Sequence, residues 1–356
     1  MPKQSLKQMV HICIVLTFAL CLGVQASPVR ALEPTTIVVN STGDEPDFAN
    51  NSVCETATGN GVCTLRAAIQ HANYLQSING TLITFDIDHS PSYAPTIIDV
   101  GSALPGLMID GSTIQGPNLH DDSVLVLDGM GGSYAGLEIR ADNCAIKKLT
   151  IANFGGYGIS VRPTTGEFVT GALITGNKIG NMIPLGIIDK PNGGGIKLQD
   201  TGSSVIGGDT AADRNVIASN TGNGIYILDS ATNLVKGNYI GVKADGVTAL
   251  PNSTGVYVSN STGNTIGGNT AGSRNVISGN TSNGVFVVGN DNVVMGNYIG
   301  TDISGTVAIP NGNIGVRIGN GGAAVSSGNI IGGSAAGQGN LISGNGSYGI
   351  QAVVSD

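Results

Sequence analysis

Basic residues are scarce in this chain: 16 Lys and Arg stand against 24 Asp and Glu, a formal net charge of −8. That balance leaves no electrostatic footprint for nucleic acid or for an anionic membrane. Charged residues of both signs reach only 11% and aromatic residues 4%, with no tryptophan. So few rings fit a repeated, bend-rich β-fold better than an ordinary α/β enzyme. Long apolar runs are missing after residue 26, so nothing downstream is fit to span a bilayer. The 3.6-residue period of a helix is missing from residues 195–345. Disorder is excluded by what remains, since 40% of the residues are hydrophobic and regularly spaced.

What the chain has in abundance is glycine, 56 residues of it, set in repeated phrases. Residues 215–227 read NVIASNTGNGIYI, 275–287 NVISGNTSNGVFV and 340–352 NLISGNGSYGIQA. GNYIG stands at 237–241 and 296–300, with GNKIG at 176–180. Ile-Gly-Gly begins at Ile206, Ile266 and Ile331. A motif Gly-[Ile/Val]-x-[Ile/Leu/Val], with Ala closing its last copy, begins at Gly158, Gly195, Gly224, Gly255, Gly284, Gly315 and Gly349. Spacings of about 20 to 50 residues mark a solenoid. Each unit holds three short β-branched runs of alternating polarity, the period of half-buried strands. Gly-Asn, Asn-Gly and Ser-Gly pairs separate the runs and tolerate the positive φ of tight bends. Three strands and three bends per turn describe a parallel β-helix of roughly triangular section, its coils about 4.8 Å apart.

Residues 1–26 read as an export signal. Lys3 and Lys7 form its positive start, residues 12–24 its short apolar core, and Val24-Gln25-Ala26 its cleavage site, with Val29-Arg30-Ala31 as second choice. A retained anchor is the alternative, and the segment is short for one. Cleavage leaves 14 basic and 24 acidic residues, a net charge of −10. Cys54, Cys63 and Cys144 survive it. Cys54 and Cys63 flank a turn-like segment and can close a small disulfide loop in an oxidising compartment. A metal site is the rival reading, though no His or carboxylate set accompanies them. Cys144 reads as a buried thiol on an inward face, with no base beside it.

Residues 64–75 carry the one clear helix, with Leu65, Ala68, Ile69, Ala72 and Leu75 on one face. The first coil of a β-helix exposes unpaired edges and an open core, and an amphipathic helix laid across that end is a remedy. Arg66 and His71 then fall on its polar, solvated face. Irregular rungs follow: Ile97-Ile98, Leu107-Met108-Ile109 and Val124-Leu125-Val126-Leu127 read as strands, the last two leading into Asp-Gly turns. Residues 136–157 form a compact coil, and loops at 242–252 and 301–311, each ending in Ala-x-Pro-Asn, lengthen alternate coils.

The run from Val53-Cys54 through Cys63-Thr64-Leu65-Arg66-Ala67-Ala68-Ile69 resembles the CSLREA N-terminal domain of exported bacterial β-helix proteins. Ile109-Asp110-Gly111-Ser112-Thr113 and the GNYIG, AxPN and RNVISGN phrases resemble the repeat array of the same proteins. The likeness covers nearly all of the mature chain and departs at Ala67, where the family motif has Glu. It implies a right-handed, pectate-lyase-like parallel β-helix, secreted or displayed at a cell surface, and it carries over no catalytic residue. The chain then divides into a signal peptide (1–26), a CSLREA-like segment with the capping helix (27–95) and the β-helix (96–356).

In each glycine-led strand the second and fourth residues point inward and the third outward. The outward column reads Glu138, Ser160, Lys197, Tyr226, Tyr257, Phe286, Arg317 and Gln351. Three rings on consecutive rungs, bracketed by Lys197 and Arg317, form a stripe about 10 Å long. Sugar faces stack on such rings, and the flanking cations suit uronic or sulfated groups; rings stacking on one another to hold the sheet is the competing reading. Five residues beyond the motif glycine come Asp200, Asp229, Asn260 and Asn320, with Asn290 and Asp291 near register. Asp200 and Asp229 could pair for acid catalysis, or the row could be a ladder capping turn amides. A calcium-dependent lyase would need clustered acids beside a base. Asp245 and Asp302 are isolated in turns, and His89 and His120 have no evident partner. No metal or cofactor is expected.

The chain stops soon after a mid-coil strand at residues 350–354, and a solenoid needs a terminal cap. It is therefore expected to be truncated there, or to dock on further coils or an anchoring module. Two functions stay open: a non-catalytic exported β-helix offering a long surface for adhesion or glycan binding, and a lyase or hydrolase acting on an acidic polysaccharide.

Overall fold

Repeating apolar triplets separated by glycine and asparagine can bury their side chains only by stacking, and they do. The structure is a computed structural model that describes residues 33–49, 51–87, 95–117, 125–180, 191–321 and 326–353. The expected signal peptide, His89 and His120 lie outside the described residues. The described strands are gathered in three long sheets of ten, nine and eight strands, with a short two-stranded ladder between Val169–Thr170 and Thr201–Gly202, and every ladder is parallel. The chain visits them in turn. Ile225–Leu228 lies in the third sheet, Leu234–Lys236 in the first and Tyr239–Ile240 in the second, before Val256–Ser259 re-enters the third. Among the described residues the fold is an all-β parallel β-helix with three strands per coil and one helix at its N-terminal end.

Like side chains stack inside. Ile206, Val235, Ile266 and Val294 line the first sheet; Ile217, Ile240, Ile277 and Ile299 the second; Ile225 and Ile227, Val256 and Val258, Val285 and Val287 the third, all fully or almost fully buried. Branching at Cβ suits both the extended backbone and this layered packing. One core cluster runs from Ile37 to Ile318.

Polar side chains hold the corners. Asn177, Asn215, Asn238, Asn275, Asn297 and Asn340 form an amide ladder where the first sheet turns into the second, each Nδ2 donating to the next Oδ1 at 2.9–3.1 Å. Asn192, Asn220, Asn252, Asn280, Asn311 and Asn345 repeat the device at the next corner. Asn233, Asn264, Asn292 and Asn329 complete the third. Each amide also donates to a carbonyl of the preceding coil, as Asn238 does to Ile206 at 2.9 Å. Buried amides in such arrays are fully paired, the condition under which they stabilise. The GNYIG phrase explains itself here. Gly237 adopts φ +69°, and a Cβ on it would stand 2.0 Å from the Gly208 carbonyl oxygen.

Coils alternate in kind. Loops 208–213 and 268–273 leave the corner between the first and second sheets; loops 242–252 and 301–311 leave the next corner one coil later. The structural repeat is therefore a pair of coils, and Gly195, Gly255 and Gly315 fall 60 residues apart. The longer loops fold onto the second sheet, where Tyr239, Val242, Val276 and Ile309 make a satellite core.

Helix α1 (Leu65–Leu75) covers the first coil as expected. Thr64 caps it, its Oγ1 accepting from the Ala67 amide at 3.0 Å, and Leu65, Ile69 and Ala72 bury with Ile37, Val39 and Ile83. The stack starts earlier than residue 96, because Thr35–Val39 and Thr81–Phe85 already pair in the first sheet. Cys54 and Cys63 are bonded. Two expectations fail. Arg66 and His71 are not solvated; they are 9% and 3% exposed. Arg66 donates to Asp44 and to the carbonyls of Ser102 and Ala103, and His71 Nδ1 stands 3.3 Å from Asp47 Oδ2. The reason is that residues 44–47 and 102–103 wrap the helix's outer side, which helical periodicity alone does not reveal. Nor is 107–109 a strand. Leu107 makes a single bridge to Ile139, while the Asn73 side chain of α1 bonds Gly106 O and Met108 N in place of a neighbouring strand.

Candidate functional site

The third sheet turns one side of its strands away from the core, and parallel pairing decides which side chains meet there; of the column only Ser160 is buried. Glu138 pairs with Ser160, Ser160 with Lys197, Lys197 with Tyr226, Tyr226 with Tyr257, Tyr257 with Phe286, Phe286 with Arg317 and Arg317 with Gln351. The column expected from the motif is thus continuous over eight strands. Tyr226 and Tyr257 stack with centroids 5.1 Å apart, Tyr257 and Phe286 at 4.9 Å, both pairs 12° from parallel. Lys197 Nζ lies 5.9 Å from the Tyr226 centroid and the Arg317 guanidinium 4.9 Å from that of Phe286. Cation, ring, ring, ring and cation therefore form one pile.

That pile changes what the stripe can do. Rings held at the inter-strand spacing cover one another's faces, and the two cations cover the ends. No ring face is left for a sugar to lie on. Toward solvent the column offers ring edges, the hydroxyls of Tyr226 and Tyr257, and the remaining guanidinium and ammonium donors. Burial pushes the Tyr226 hydroxyl above the usual tyrosine range, with the Ser259 hydroxyl opposing the shift. Burial, aided by nearby Arg162, pulls Lys197 below the usual lysine value, while Asp200 and Asp229 oppose it.

A second outward row, two residues further along each strand, escaped the sequence reading. Leu198 pairs with Val161, which brings Arg162 beside Gln199, and Arg140 precedes Arg162 by one coil. Glu138 sits between the two arginines. Its Oε2 accepts from Arg140 Nη2 at 2.5 Å and Nε at 2.9 Å; its Oε1 accepts from Arg162 Nη2 at 3.0 Å and Nε at 3.3 Å. The three side chains floor a cleft of about 560 Å³ walled by Leu104, Gly106, Met108 and Tyr134. The period-2 rule applied beyond Glu138 and Ser160 would have found both arginines.

Asp200 and Asp229 occupy successive coils at the corner after this sheet, in left-handed backbone at φ 51° and 50°. Asp229 accepts from Asn260 Nδ2 at 2.6 Å. The continuous amide ladder at this corner belongs instead to Asn233 and its successors, buried a few residues on. Asn290 Oδ1 accepts from the Ser327 amide, a local contact of the same kind. Asp245 and Asp302 bond the amides and hydroxyls of their own hairpins, which hold both carboxyls below the usual range. Cys144 is buried, free and pushed up to about 12 by that burial, so its thiol is inert. Among the described residues no group of three His, Cys, Asp or Glu side chains could hold a metal ion, and no helix is long and apolar enough to cross a membrane. A second groove, about 550 Å³, lies on the first sheet between Lys147, Lys236 and the Asp209 loop, where Lys236 pairs with Asp209 at 2.5 Å.

No protein-family model and no curated protein matches the chain. Among solved structures it is similar to a periplasmic alginate epimerase, 18% identical at a TM-score of 0.42, over 78% of this chain and 62% of that one. It thus spans under two thirds of that epimerase. The A-module of an Azotobacter vinelandii mannuronan C-5 epimerase is 16% identical at a TM-score of 0.38, over 86% of this chain and 94% of that module. A pectate lyase is 15% identical at a TM-score of 0.36, over 88% and 80%. These are likenesses of fold, the parallel β-helix, and no more than that.

Proposed function

We propose that this is an exported or surface-displayed β-helix protein that holds an acidic polysaccharide along the outer face of its third sheet, without chemistry. One observation carries the reading: Lys197 and Arg317 close the two ends of the line of stacked rings, and Arg140 and Arg162 stand in the neighbouring outward row of the same sheet, in a protein of net charge −8. A polyanion lying there would meet cations at its carboxylate or sulfate groups and ring edges and hydroxyls between them. Lys197 and Arg317 would bind by their outward donors, since their inner faces rest on rings. The CSLREA-like N-terminal motif supports export, as does the positively charged, apolar start of the chain.

A second reading, cleavage of the same polymer, is favoured by Lys197. An amine of lowered pKa beside Arg162 is the pairing that proton abstraction next to a carboxylate would use. Affinity electrophoresis through gels containing alginate, pectin or a sulfated glycan tests the first. Retention in the acidic gels, absent in a neutral glucan gel and weakened by salt, is the expected result. Equal mobility in all gels would sink it. Appearance of unsaturated or new reducing ends on incubation would replace it with the second.

A further inference from the structure

We infer that the cleft beside helix α1 is a separate site for a terminal uronate residue, with Arg140 and Arg162 as its carboxylate receptors and Glu138 as the residue that sets them. The inference rests on the reading of the third sheet as a polyanion-binding face and names a subsite that the ring column does not contain.

The geometry supports it in three ways. Glu138 engages Nε and Nη2 of both arginines, which leaves Nη1 of each without a protein acceptor among the described residues. Two guanidiniums against one carboxylate carry a net charge of +1, and planar guanidinium edges are suited to a second carboxylate. The arrangement is held rather than fluctuating: the Glu138 and Arg140 side chains are 16% and 22% exposed, and only Arg162, at 44%, leans into solvent. Gly106 makes room for this, because a Cβ there would stand 2.8 Å from Arg140 Cδ.

The walls suit a sugar body. Leu104, Met108 and the edge of Tyr134 are apolar, and Tyr134 is fixed by its hydroxyl bond to Val100 O and by edge contact with Phe154. A volume of about 560 Å³ lies inside the range of about 300–1,000 Å³ usual for small-ligand sites. Position decides which residue of a polymer would enter. Asn73 of α1 bonds segment 106–108 across the start of the third sheet, so the helix closes the face at this end. A chain running along the ring column would meet that wall with its last sugar.

Titration calorimetry of the full chain with digalacturonate, its methyl ester and a neutral disaccharide tests this, beside gel retention on the polymer. Digalacturonate is expected to bind, with the ester and the neutral sugar at least tenfold weaker. Arg162→Gln, a change at a partly exposed side chain, is expected to weaken digalacturonate about tenfold or more, the size of one lost charged pair. Tyr257→Ala is expected to leave digalacturonate unchanged while reducing polymer retention. Equal binding of acid and ester, or an unchanged affinity in Arg162→Gln, overturns the end site. Polymer retention without any digalacturonate binding overturns the end site alone, whereas digalacturonate binding without polymer retention overturns the face and leaves the cleft standing.

Discussion

Tyr226 and Tyr257 lie face to face, centroids 5.1 Å apart and ring planes 12° from parallel, because their backbones are direct partners in a parallel ladder. The separation is set by the coil rise and not by the rings. A ring in such a column is partly a structural element, and whatever it offers a ligand comes from its edge.

Tyr257 is the middle ring, and two substitutions separate its two roles. Tyr257→Ala removes both ring contacts and should cost roughly 1–3 kcal/mol, at about 0.5–1.5 kcal/mol for each aromatic pair. The protein should remain folded with a lowered urea midpoint and lose retention on acidic gels. Tyr257→Phe keeps the pile, so its midpoint should hold, and its retention should fall only if the hydroxyl is what the ligand meets. Retention unchanged in both would reassign the column to structure.

The amide ladders carry a heavier load than the rings. Asn238→Ala leaves the Asn215 Nδ2 donor, the Asn275 Oδ1 acceptor and the Ile206 carbonyl with a lost partner inside the core. At about 1–3 kcal/mol for each buried group left unpaired, the loss should exceed roughly 3 kcal/mol. Asn260→Ala, which loses an exposed bond to Asp229 and puts Ala in left-handed backbone at φ 47°, should cost no more than about 1–2 kcal/mol. Urea unfolding of the two variants side by side checks the contrast, and equal losses would deny the ladder its role.

Cys144 supplies a pH dependence. Burial raises its thiol from 9.0 to about 12, so the folded protein keeps a proton that the unfolded chain releases. The stabilisation is complete below pH 9 and is lost as pH rises from 9 toward 12, by roughly 4 kcal/mol in all. Cys144→Ala should flatten that part of the stability profile measured by urea unfolding. In the parent protein, Ellman's reagent should react with Cys144 only after denaturant is added.

Much of this architecture could be read from the residues, and what could not has physical causes. The glycine-led phrase fixes register because a parallel solenoid places equivalent residues over one another; hence Lys197 to Arg317 came out as one column. Asparagine is where composition misleads. In sequence, Asn215 or Asn252 looks like a turn residue of the same kind as the half-buried Asp200 and Asp229, and only closure of the coil shows that it points inward. The pairing of coils is similarly hidden, since adjacent glycine-led strands look alike while their loops leave from different corners. Arg140 and Arg162 required a second column to be drawn. Arg66 and His71 required knowing what lies over a helix, which the periodicity of the helix cannot say.

Arg66 offers the sharpest check on that last point. If its helix face were solvated, replacing it would change stability by less than about 0.5 kcal/mol, the usual result at an exposed site. The structure instead has Arg66 tie α1 to Asp44 and to the carbonyls of Ser102 and Ala103. Arg66→Met keeps the apolar stem and removes every donor, leaving the Asp44 carboxylate with the Gly101 amide and no cation. Breaking a fully buried pair costs about 3–5 kcal/mol, and with Asp44 at 23% exposure a loss of about 2–4 kcal/mol is expected here. The loss should be local. Hydrogen exchange in residues 65–75 should quicken well before the strands at 225–299, because the helix is fastened to a stack whose own coils hold one another.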